Sequence, residues 1–267
     1  MSLKTEWVPY GPGGEYSGYL AYEGSAAQKL PGLLVVQEAG GVNAHMEDVT
    51  RRFAAAGYAA FAPDLFARHA RRPAALYPER IDDMLVFMHG LTSRQRMDPK
   101  ERDLAIAALP KEQGALIRES VTTLFAGGFL PPLVAAAAHL RNEVAVTRGQ
   151  KLGALGFCMG GGLSAMLATV DPELAGAVMF YGRMPPADDL ARIRCPVLAF
   201  YGSADRPLVD SAGPFQEAMK KHGKSLEVVV YEGAEHAFFN DTRPLYDVNA
   251  ARDSFVRALG FLRRQLA

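Results

Sequence analysis

The run Gly156-Phe157-Cys158-Met159-Gly160-Gly161-Gly162 constrains this chain more than any other stretch. It follows an apolar β-type segment, Leu152–Phe157, and opens a helical pattern, Gly160–Val170. Glycines two residues before and two after a central cysteine match the sharp strand-to-helix elbow Gly-x-nucleophile-x-Gly, with cysteine where serine is usual. The central residue of such a turn is held in a strained backbone conformation, and side chains beside it would strike the neighbouring strand and helix. The following helix points the positive end of its dipole at residue 158, a place that suits a developing negative charge. A phosphate loop would need Gly-x-Gly-x-x-Gly after the first strand, or a terminal Lys-Ser/Thr, and the chain has neither. A plain turn with a buried cysteine is the alternative that the motif alone leaves open.

The same strand-then-helix rhythm runs along the chain. Apolar runs at Leu33–Gln37, Tyr58–Pro63, Ala175–Tyr181, Val197–Tyr201 and Leu226–Tyr231 read as strands. Several are apolar throughout, as expected of strands covered on both faces. Helical spacing marks His45–Gly57, with Met46, Val49, Phe53 and Ala56 on one face. It recurs at Leu133–Glu143, at Gly213–His222 and from Arg243 or Tyr246 to Leu266. This alternation predicts an α/β fold, a mostly parallel sheet with helices on both faces, with antiparallel edge strands added near Tyr16–Tyr22.

Between Pro63 and Leu133 lie roughly 70 residues, where a usual connection has about 4–6. Polar, Pro-broken runs there give way to helical patterns at Ile81–His89 and Leu104–Leu109. The segment lies near the carboxyl ends of the strands, where open α/β sheets bind ligands. Residues 66–130 therefore read as a lid-like insertion in a single domain spanning 1–267; helices that only pad one face of the sheet are the other reading.

Composition narrows the function classes. Twenty-nine basic and 29 acidic side chains cancel, so no overall attraction to nucleic acid or membrane is expected. No apolar leader and no window of about 20 apolar residues is present, so a cytoplasmic location is expected. Two cysteines are too few for a disulfide framework and lack metal-ligand spacing. Cys195, before Pro196 and an apolar run, reads as a small buried thiol. No metal or organic cofactor is expected.

Two further motifs fall behind the elbow. Gly202-Ser203-Ala204-Asp205 follows the strand Val197–Tyr201, and Glu232-Gly233-Ala234-Glu235-His236 follows Leu226–Tyr231. A lone Asp in a loop is usually a cap, and a lone His is usually a surface residue. An acid and then a histidine, each just past a strand and in this order after the nucleophile, form a candidate triad with Cys158. Glu38, directly after the strand Leu33–Gln37, would face the same cleft, although a loop carboxylate binding nearby N–H groups is the plainer reading. The backbone N–H groups of Ala39 and Met159 are candidate oxyanion donors.

Gln37-Glu38 with Gly41-Val42-Asn43, then Pro63-Asp64-Leu65-Phe66-Ala67-Arg68, the elbow, and His236-Ala237-Phe238-Phe239-Asn240-Asp241 together resemble the dienelactone hydrolase (carboxymethylenebutenolidase) family. The similarity spans nearly the whole chain. It implies an α/β-hydrolase fold and the opening of an unsaturated lactone, with Cys158 as nucleophile, Asp205 and His236 completing the triad, and Glu38 helping to activate the thiol. Members of that family hold the substrate carboxylate with arginines, one of them four residues after the histidine. Here that residue is Asn240, and the next arginine is Arg243. The other arginine belongs to the region after Asp64-Leu65, where Arg80 and Arg102 are both possible counterparts. Asparagine cannot imitate bidentate guanidinium binding. The small-molecule partner expected is thus a dienelactone-like lactone or related ester. A carboxylesterase or lactonase for an uncharged substrate is the first alternative, and a non-catalytic hydrolase-fold binding or redox-sensing protein is the second.

Overall fold

The computed structural model describes residues 2–25 and 28–267. Eight strands form one sheet: β1 (Leu3–Tyr10), β2 (Tyr16–Glu23), β3 (Gly32–Val36), β4 (Ala59–Pro63), β5 (Leu152–Phe157), β6 (Gly176–Phe180), β7 (Val197–Gly202) and β8 (Leu226–Tyr231). Their order is β1-β2-β4-β3-β5-β6-β7-β8. β1 and β2 pair antiparallel at one edge, β2 runs antiparallel to β4, and the other pairings are parallel. This is the mostly parallel α/β sheet expected, with the N-terminal hairpin added at its edge.

The strands β3 to β7 are apolar throughout because helices cover both faces. Helix α1 (Ala44–Ala55) buries Met46, Val49 and Phe53 against Leu33, Val35 and Phe180 on one face. The C-terminal helix (Val248–Leu266) covers the same face with Ala258, Phe261 and Leu262. The opposite face, carrying Leu34, Val36 and Met179, takes Leu133 and Leu140 from the helix Leu130–Asn142, and Phe215 and Met219 from the helix Arg206–Lys221. Ala56, expected on the apolar face of α1, lies past the helix end and is exposed. The helix expected at Gly213–His222 begins seven residues earlier, at Arg206. Pro214 reads as a breaker in sequence. In the fold it is exposed, so the carbonyl whose partner it removes can be hydrated.

Between β4 and β5, four helices precede α6 (Leu130–Asn142): α2 (Pro78–Gly90), α3 (Ser93–Met97), α4 (Pro99–Ala107) and α5 (Lys111–Phe125). They build a small core of their own from Leu76, Ile81, Met84, Ile106, Ile117 and Val121. Ala39, Met159 and Phe129 pack against that core, so this helical insert touches the loop after β3 and the first residue of the helix that follows Cys158. Arg72 braces its root. The guanidinium donates from Nε to Asp64 Oδ2 at 2.8 Å and from Nη2 to the Val42 carbonyl at 2.9 Å. The buried Gln37 side chain accepts from Leu65 N–H at 3.0 Å on the same side. No single helix among the described residues is long and apolar enough to cross a membrane.

Glycine spacing at the elbow sets how closely the elements approach. A Cβ on Gly156 would fall on the Gly160 carbonyl, and one on Gly160 would fall on the Val36 carbonyl. Gly213, within the helix Arg206–Lys221, has open space around it. The two sites therefore respond with opposite sign. Gly160→Ala is expected to destabilise the fold by about 1–3 kcal/mol or more through overpacking, a fall of several degrees in melting temperature. Gly213→Ala is expected to gain up to about 1 kcal/mol from helix propensity. Thermal unfolding of both variants checks the pair.

Candidate active site

The sheet register delivers the candidate residues to one edge. Val36 of β3 lies opposite Gly156 of β5, and Phe157 opposite Phe180 of β6. Two residues past Val36 and Gly156 stand Glu38 and Cys158, and one residue past Phe180 stands Tyr181. Gly202 of β7 is paired with Tyr231 of β8, which brings the loops carrying Asp205 and His236 together. The hydrogen-bond ladder continues past the strands: Cys158 N–H donates to Phe180 O at 2.9 Å and Tyr181 N–H to Phe200 O at 2.8 Å. Ser203 N–H donates to Tyr231 O at 2.9 Å. The loop residues are thus fixed by backbone bonds before any side chain acts.

Cys158 has φ 52° and precedes α7 (Met159–Val170). Tyr181 has φ 41° and Ala237 φ 61°. Such conformations cost of order 1–3 kcal/mol each for a non-glycine residue and gather where the surroundings over-determine them. Three of them adjoin this one cleft.

His236 Nδ1 and Asp205 Oδ2 are 2.5 Å apart, and the Cys158 thiol is close enough to the imidazole to act on its charge. Asp205 occupies the N-cap position of the helix Arg206–Lys221, yet its side chain makes no capping bond. The usual role of an aspartate at that place is given up to the histidine. Burial by itself would lower the His236 pKa. The charge on Cys158 and the bond to Asp205 outweigh it and hold the imidazole well above its ordinary value.

Glu38 sits beside them, with Tyr181 O–H donating to Oε1 at 3.1 Å and Asn240 Nδ2 donating to Oε2 at 2.8 Å. Burial, then the negative charge of Glu38 and that of Cys158, push the Tyr181 phenol well above its usual value, so it is a neutral donor. The N–H groups of Ala39 and Met159 have no hydrogen-bond acceptor among the described residues.

The structure does not bring all three arginines here. Arg80 donates to the Leu116 carbonyl at 2.7 Å and to Glu119 at 2.8 Å, inside the insert. Arg102 donates to the Arg96 carbonyl and lies over the Phe125 ring. Neither contacts Cys158, His236 or Glu38; both are held by the packing of the insert's own helices. Arg243, in the loop after His236, reaches Asp82 of α2 at 3.5 Å. Near the end of α2, His89 is held below its ordinary pKa by burial, then by Arg243, Arg96 and His236, with Glu38 acting the other way. The insert is therefore within electrostatic reach of the cluster. Sequence reasoning missed Tyr181 and His89 as members of this surrounding. The signal for Tyr181 was its place at the end of an apolar run beside the elbow strand; His89 gave none. No group of three or more His, Cys, Asp or Glu side chains among the described residues is arranged to hold a metal ion.

A sequence profile of the dienelactone hydrolase family matches residues 17–266. A Saccharolobus solfataricus protein assigned as a carboxymethylenebutenolidase is 34% identical over 233 residues, covering 87% of this chain and 88% of its own length. A Bradyrhizobium protein assigned as a 2-oxo-3-(5-oxofuran-2-ylidene)propanoate lactonase is 30% identical, covering 99% of this chain and 96% of its own. Among solved structures, a Klebsiella pneumoniae protein assigned as a dienelactone hydrolase is similar with a TM-score of 0.66 and 25% identity, over 97% of this chain and 98% of that one.

Two measurements follow from the site's electrostatics. Cys195 is buried, which pushes its thiol up to about 11, while Cys158 is half-buried. Iodoacetamide at pH 8 is expected to label the folded chain at Cys158 alone, with Cys195 reacting only after denaturation; peptide mass mapping reads the sites. His236 holds its proton more tightly folded than unfolded, so its contribution to stability is complete below about pH 6.5. That contribution is lost as pH rises through the folded value. The melting-temperature advantage of wild type over His236→Gln is expected to shrink as pH is raised from about 6 to about 9.

Proposed function

Because the chain belongs to the dienelactone hydrolase family, and is by that membership a hydrolase of ester or lactone bonds, we propose that it opens a lactone or cleaves a related carboxylic ester through Cys158. The observation that carries this reading is the His236–Asp205 pair, with its 2.5 Å Nδ1 to Oδ2 contact, beside Cys158 in a positive-φ elbow.

In the proposed reaction the Cys158 sulfur, its proton held on His236, attacks the carbonyl carbon. The carbonyl oxygen becomes an oxyanion and is met by the N–H groups of Ala39 and Met159. Collapse of this intermediate breaks the bond to the ring or ester oxygen, which takes the proton from His236 and leaves a thioester on Cys158. In a lactone the released hydroxyl or enol stays tethered to the acyl group. His236 then takes a proton from water, the hydroxide adds to the thioester carbon, and the carboxylic acid departs as the thiolate is restored. Asp205 keeps the imidazole in the tautomer and orientation that this exchange needs. Glu38 places a carboxylate in the cleft and assists thiol activation.

Two substrate readings diverge at the arginines. The lactonase name of the Bradyrhizobium relative is that of an anionic lactone, and in that reading Arg243, in the loop after His236, meets the substrate carboxylate. Against this, Asn240 points an amide at Glu38, and Arg80 and Arg102 are engaged within the insert, which favours an uncharged ester. Hydrolysis of a dienelactone and of p-nitrophenyl acetate by wild type and Cys158→Ala separates these readings. Cys158→Ala is expected to lose about a thousandfold or more in kcat/KM on whichever substrate wild type cleaves. Full activity in that variant would overturn the nucleophile, and wild-type preference for the neutral ester would overturn the dienelactone.

A further inference from the structure

Glu38 directly precedes Ala39, whose N–H, like that of Met159, has no acceptor among the described residues. The Met159 N–H also opens α7, where the helix dipole favours negative charge. A free carboxylate in such a loop turns onto nearby N–H groups. Here it does not, because both its oxygens are taken elsewhere.

The two donors that take them are themselves fixed. Tyr181 is 1% exposed and Asn240 is 2% exposed. The Tyr181 ring lies 5.1 Å from that of His236 and 5.3 Å from that of Phe238. Asn240 Oδ1 accepts from Thr242 N–H at 3.1 Å and from Thr242 Oγ1 at 2.7 Å. With its oxygen so engaged, the amide can present only its NH2 to Glu38. Both donors are neutral, so they hold the carboxylate without cancelling its charge.

We propose that Tyr181 and Asn240 are positioning residues that hold Glu38 off the Ala39 and Met159 N–H groups and so keep the oxyanion site open for substrate. The inference rests on the oxyanion role given above to those two N–H groups. Without the clamp, the chain's own carboxylate competes with the reacting carbonyl for the same donors, and the enzyme inhibits itself. The charged and titratable groups around Glu38 are Tyr181, Cys158 and His236 from the sheet edge and His89 from the insert; the clamp works by supplying Glu38 with two fixed donors and needs no proton to move among these groups.

Two near-isosteric variants remove one donor each. Tyr181→Phe deletes only the hydroxyl. Asn240→Asp keeps the acceptor that Thr242 uses and replaces the donor facing Glu38 with an oxygen. Each is combined with Glu38→Gln, and kcat and KM for p-nitrophenyl acetate are measured with melting temperatures alongside. In the presence of Glu38, each donor loss is expected to lower kcat about tenfold or more, because a lost oxyanion-site donor has a large effect. KM should change far less. In the Glu38→Gln background the same losses are expected to cost less than about twofold, since residues acting as a unit are non-additive. Equal losses in both backgrounds, or full activity of both donor variants with wild-type melting, would overturn the clamp. Cys158→Ala tests the nucleophile independently, so a failed clamp beside an inactive Cys158→Ala leaves the hydrolase reading intact.

Discussion

Everything at this site depends on how closely the ends of three parallel strands approach around the elbow. Gly160 lies against the carbonyls of Val36 and Gln37, Gly156 against Gly160, and Gly182 against Gly161 and Gly162. There is no room for a methyl group at these crossings. The gain is a cysteine held at φ 52°. It is pinned by a backbone bond to Phe180 and is packed partly against the core. Parallel register then does the rest, since it brings the loops after neighbouring strands together, the one carrying Asp205 beside the one carrying His236.

A second brace acts on the loop of Glu38. Arg72, Asp64 and Gln37 join the ends of β3 and β4 through a buried ion pair and bonds to Val42 and Leu65. A buried pair of this kind is weak evidence of net stability, but its geometry is specific. It ties the root of the helical insert to the loop that carries Glu38 and Ala39. Overall charge neutrality hides this local organisation: the cations that matter sit at the insert root and rim, the anions in the cleft.

The parts legible in sequence were those set by local rules. The elbow, the strand runs and the order of Cys158, Asp205 and His236 each follow from glycine spacing, apolar runs and position after a strand. The helix Arg206–Lys221 was read short because Pro214 looks the same in sequence whether it faces solvent or core. Tyr181 was legible only as the end of a strand, since its contact with Glu38 depends on a turn 143 residues away in sequence. Arg80 and Arg102 could not be placed because the packing of the insert's helices, which absorbs both guanidinium groups, carries no local signature. Asn240 was noticed for the arginine it is not; what it does, as a fixed donor to Glu38, required the tertiary structure.

The insert's apolar core rests on Ala39 and Met159, the residues that follow Glu38 and Cys158. That contact makes the insert a structural support for the loop after β3 and for the elbow. Divergence in residues such as Ile81, Met84 or Ile117 would reach the chemistry through this contact, without any change in the residues that line the cleft. The helical insert and the elbow thus share a wall, and only changes in the insert's packing that leave that wall standing leave the elbow's geometry in place.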